Sequence, residues 1–78
     1  MIYMTVAIQI HYIAIENNVK CLRRWEVRLG RKKPEQVAYE WWKQIKRESF
    51  VDLELEKVIA DGEDITNLVK ELEKAPLE

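Results

Sequence analysis

One cysteine, one histidine and one phenylalanine stand among 78 residues, with only two glycines and two prolines. Each scarcity excludes something. Cys21 has no second cysteine for an internal disulfide, and one histidine with one cysteine cannot supply zinc-ligand spacing, so no metal and no cofactor are expected. Cys21 reads as a small apolar core residue. Gly30 and Gly62 stand too far apart for a glycine-rich phosphate loop. No unbroken apolar run is long enough to span a bilayer: Met1 to Ile15 is interrupted by Thr5, Gln9 and His11 and lacks a basic leader. The expectation is a cytoplasmic chain without a membrane partner.

Apolar residues make up 47% and charged residues 35% of the chain, a balance that folds and dissolves. Its length allows one domain, residues 1–78, with one core. The net charge of −1 conceals a segregation. Residues 17–47 carry ten Lys/Arg against three Glu, or +7, and residues 48–78 carry ten Asp/Glu against three Lys, or −7. Glu16 supplies the remainder. Halves of opposite sign in two copies are complementary and could orient a homodimer, since such charge steers and selects a partner more than it supplies affinity.

Alternation of two places Met4, Val6, Ile8, Ile10, Tyr12 and Ala14 on one face and Thr5, Ala7, Gln9 and His11 on the other, which predicts a strand over about 3–15. Cys21, Trp25, Val27 and Leu29 continue the pattern in a second strand, about 19–29. A two-residue turn at Asn17-Asn18 would pair Glu16 with Val19, Ala14 with Cys21, Ile10 with Trp25 and His11 with Arg24. Pro34 and Glu35 suit a helix start, and Val37, Ala38, Trp41, Trp42 and Ile45 mark the apolar arc of a helix over 34–48. A third strand over 50–59 sets Val51, Leu53 and Leu55 against Asp52, Glu54 and Glu56. Asp61-Gly62 is a turn, and Asp64 would cap a helix over 64–74.

The expected fold is therefore an α+β two-layer sandwich of order β-β-α-β-α. Its three-stranded, mainly antiparallel sheet has both helices on one face. Of the two strand orders open to it, 2-1-3 and 1-2-3, the first is favoured because it centres the long apolar first strand.

Chemistry is sparse. Asp52, Glu54 and Glu56 at spacing two could hold a cation, yet a solvated strand face explains them as well. His11 has no nucleophile on its side of the sheet, so no catalytic residue and no small-molecule substrate are assigned. Trp41 is placed at the centre of the helix arc. Tyr39 and Trp42 at its margin, with His11 and Arg24 on the open sheet face, are the candidate protein interface. Arg28, Arg31, Lys32 and Lys33, with Lys43 and Arg47 along the helix, are candidate phosphate contacts. These surfaces point to a small binding module for a protein partner or for itself, with nucleic-acid binding as the alternative.

Overall fold

A computed structural model describes residues 5–74. The elements are β1 (Thr5–Ala14), β2 (Val19–Arg28), α1 (Pro34–Glu48), β3 (Leu53–Ala60), β4 (Glu63–Asp64) and α2 (Thr66–Lys74). The sheet order is β2-β1-β3-β4 and every pairing is antiparallel. The expected order 2-1-3 is present, extended by β4. Tyr3 and Met4 of the expected first strand lie outside the described residues.

β4 exists because of its turn. Asp61 and Gly62 both have positive φ, 51° and 83°, as a two-residue turn of type I′ requires, and glycine takes the second position without a side-chain penalty. Glu63 and Asp64 therefore fold back on Ala60 and Ile59. This delays the second helix from the expected residue 64 to Thr66.

The first hairpin corrects its expected turn. Ala14 pairs with Val19 across the four residues Ile15–Asn18, and Asn18 alone of the two asparagines has positive φ, 55°. Tyr12 thus pairs with Cys21, Ile8 with Trp25 and His11 with Leu22. The shift is two residues, so each side chain keeps its expected face.

β3 starts at Leu53, three residues later than expected, after Ser49 bridges the backbone of Val51 through its hydroxyl. Its apolar side chains change phase from Leu55 to Val58, an odd spacing that simple alternation would place on opposite faces. A β-bulge reconciles them: His11 pairs with Lys57 but Tyr12 with Leu55, leaving Glu56 as the extra residue.

Val6, Ile8, Ile10 and Tyr12 of β1, with Leu55, Val58 and Ala60 of β3, form the floor of the core. Ala38, Trp42 and Ile45 of α1, Val69 of α2 and Ile65 just before it form the roof. The expected ranking of the two tryptophans is reversed. Trp42 is fully buried, its indole N–H donating to Glu73 at 2.6 Å and its ring 5.5 Å from that of Tyr12. Trp41 is half-buried and packs on Trp25 of β2. The arc is wide enough for either residue to be central, and the second helix decides by covering the Trp42 side.

Left-handed backbone at Asn18 costs an ordinary L-residue about 1–2 kcal/mol. Asn18→Ala should therefore lower unfolding stability by about 1 kcal/mol while Asn18→Gly leaves it unchanged or higher, as read by urea denaturation.

Candidate functional site

β1 is hydrogen-bonded along both edges, whereas β2 is the outermost strand of the sheet. The direction of its backbone groups follows from Ala7. The N–H of Ala7 donates to the Asp61 carboxylate at 2.9 Å and its C=O accepts from the Asp61 N–H at 2.8 Å, so both groups face the β3 side. Alternation then turns the even residues of β1 toward β2. Their partners are Val19, Cys21, Arg23, Trp25 and Val27. By the same alternation Lys20, Leu22, Arg24 and Glu26 point their N–H and C=O away from the sheet.

The two edges of the sheet differ. On the β3 side the edge is broken by the bulge at Glu56, β4 covers Ile59 and Ala60, and the Val58 N–H donates to the Thr66 hydroxyl at 2.9 Å. β2 runs ten residues without bulge or proline. Bulges, coverage and short length are common protections of a sheet edge, and among the described residues the β3 side alone has them, while β2 carries edge charges instead.

The side chains of β2 are unevenly supported. α1 packs on β1 and β3, and α2 on β3 and α1, so the helix layer is displaced from β2. Cys21, Trp25 and Val27 face the helix side but are only partly buried. Arg23, also on that side, is exposed and its Nε donates to the Tyr12 hydroxyl at 3.3 Å. That hydrogen bond holds its guanidinium above the already high arginine range.

The open face carries Lys20, Leu22, Arg24 and Glu26 from β2 beside Ala7, Gln9, His11 and Ile13 from β1. Lys20 reaches across β1 to Glu56 at 3.8 Å. A broad depression of about 760 Å³ lies toward β4, lined by His11, Lys20, Glu56, Lys57, Asp64, Thr66 and Asn67. Asp64 accepts hydrogen bonds from the Thr66 hydroxyl and backbone N–H, which hold its carboxyl below the usual carboxylate range.

The sequence candidates disperse. His11 faces Leu22 and Lys57 rather than Arg24, because the longer turn moves Arg24 opposite Gln9. Trp42 is withdrawn into the core and can contact no partner. Tyr39 is half-buried in a groove with Leu72, under the Lys43 ammonium at 4.9 Å from its ring. Arg24 alone of the four lies on the β2 edge.

The basic residues fall into two groups, Arg28 to Lys33 around the loop before α1 and Lys43 and Arg47 in the second half of the helix. Lys33 precedes α1 and Arg47 lies near its end, about 21 Å apart at 1.5 Å per residue. Lys32 is in an ion pair with Glu40 at 3.0 Å. The three carboxylates are parted as well: Asp52 precedes β3 and offers its carbonyl to the Ile15 N–H, while Glu56 sits at the bulge. Among the described residues no three His, Cys, Asp or Glu side chains converge on a cation position. No helix among them is long and apolar enough to cross a membrane.

Sequence reasoning placed Glu26 on the open face without assigning it to the interface, and missed Leu22. Both occupy even positions of the second strand, and that parity was the available signal. No family model, curated protein or solved structure matches this chain.

Because Asp64 titrates low when folded, its contribution to stability is present above the ordinary carboxylate range and is lost as pH falls through the depressed value. Thr66→Val removes the hydroxyl donor, so the Asp64 midpoint in a carboxyl NMR titration should move up toward the ordinary range. Thr66→Ser should leave it low.

Proposed function

We propose that this chain is a non-catalytic protein-binding module whose partner adds a strand to the β2 edge. The observation supporting this reading is the row of outward N–H and C=O groups on Lys20, Leu22, Arg24 and Glu26, on the side of the sheet that is neither bulged nor covered among the described residues, whereas the opposite edge is both. Strand addition draws affinity from main-chain hydrogen bonds and specificity from alternate side chains. Here those side chains are the charged and apolar residues of the open face on one side and the partly buried Cys21, Trp25 and Val27 on the other. A reducing cytoplasm suits the single thiol of Cys21.

In dilute solution the amides of Leu22, Arg24 and Glu26 should exchange hydrogen rapidly while those of Arg23 and Trp25 are protected, as measured by NMR. Slow exchange of the even amides in the monomer would mean that the edge is closed, and the strand-addition reading would fail.

Nucleic-acid binding through Arg28, Arg31, Lys32, Lys33, Lys43 and Arg47 is less well supported. Arg28 ends β2, Arg31, Lys32 and Lys33 lie in the loop before α1, Lys43 and Arg47 lie in its second half, and Lys32 already has a carboxylate partner. Attraction of this kind depends strongly on salt. Duplex DNA or RNA should show no gel retardation at 150 mM salt, and retention there would favour the phosphate reading over strand addition.

A further inference from the structure

Resting on the strand-addition reading, we infer that the partner strand is β2 of a second copy, paired antiparallel about Trp25 so that each Arg24 faces Glu26 of the other copy. Backbone geometry restricts the choice first. Only the even residues of β2 direct their hydrogen-bonding groups outward, so in an antiparallel self-pairing even must oppose even. Even opposed to even also keeps the helix layers of the two copies on one side of the continuous sheet.

Charge restricts it further. Within Val19–Arg28, four such registers overlap seven or more residues in each copy, and they are centred on Leu22, Arg23, Arg24 or Trp25. Centring on Leu22 sets Lys20 against Arg24 twice. Centring on Arg23 sets two Arg23 side chains against each other, and centring on Arg24 does the same with Arg24. Like charges directly opposed across strands are destabilising. Centring on Trp25 opposes no like charges: Arg24 meets Glu26, Arg23 meets Val27, and Leu22 meets Arg28. The arginines of this edge leave one register with no like charges opposed, whereas the Arg23-centred one sets Arg23 against Arg23 even as it pairs Lys20 with Glu26.

Packing favours the same register. Trp25 is only partly buried although it packs on Trp41, because α1 lies closer to β1 and β3 than to β2. With Trp25 on the two-fold axis, its counterpart occupies the facing position where cross-strand side chains approach most closely. Val27 and the aliphatic stem of the partner's Arg23 would close the strip on either side.

The test uses the full chain in sedimentation equilibrium or size exclusion with light scattering. Wild type should show a concentration-dependent dimer. Glu26→Arg and Arg24→Glu, each on the exposed face, should separately raise the dissociation constant at least tenfold without changing the urea midpoint of the monomer. The double variant Arg24→Glu/Glu26→Arg should restore it to within a few-fold of wild type. A monomer mass for wild type at millimolar concentration would overturn the second-copy assignment. So would single variants that dimerise normally, or a double variant that stays weak. Rapid exchange of the even amides in that monomer would still leave the edge open to a different protein, so the two readings fail separately.

Discussion

β1 hydrogen-bonds to a neighbour on each edge while burying Val6, Ile8, Ile10 and Tyr12 on one face, and the rest of the molecule is placed by that double constraint. A strand paired on both sides cannot slip by one residue against either neighbour without turning its apolar set out of the core. β2 and β3 are therefore held in phase with it. Where the apolar sequence of β3 changes parity between Leu55 and Val58, the backbone yields at Glu56 rather than turning either residue out of the core. The same bulge interrupts the outer edge of β3.

The helix layer then introduces an asymmetry. α1 and α2 are tied together by Glu73, which accepts from the Trp42 indole and pairs with the Lys46 ammonium at 3.4 Å. Together they cover β1 and β3, where the deepest apolar residues lie, and leave β2 partly uncovered. One side of the sheet is thus bulged, capped and overlaid, while the other presents an uninterrupted strand. The proposed interface is the exposed remainder of a core whose coverage is displaced to one side.

Net opposite charges on the two halves of the chain suggested complementarity between large surfaces. The fold spends part of that complementarity internally, pairing Lys20 with Glu56 and Lys46 with Glu73 across the halves. What remains decisive on the β2 edge is local. Arg24 and Glu26, two residues apart on one strand, become opposed only when two copies meet in a single register.

Alternation and helical periodicity, read from the residues alone, determined the α+β class, both helices within two residues and the face of nearly every strand residue, and favoured a central β1 that the sheet pairing then decided. These features depend on short-range patterns of 2 and 3.6 residues, which are written in the chain itself. The four-residue turn, the bulge at Glu56, β4 and the exchange of roles between Trp41 and Trp42 were not legible. Each depends on which of two locally acceptable arrangements a distant element selects. Asn17-Asn18 suits more than one hairpin loop, and the helix arc accommodates either tryptophan at its centre until α2 is in place. The same holds for the candidate site. Its residues, Leu22, Arg24, Trp25 and Glu26, were visible as a strand. Their edge became a candidate binding surface only because tertiary packing placed β1 on one side of them and nothing among the described residues on the other.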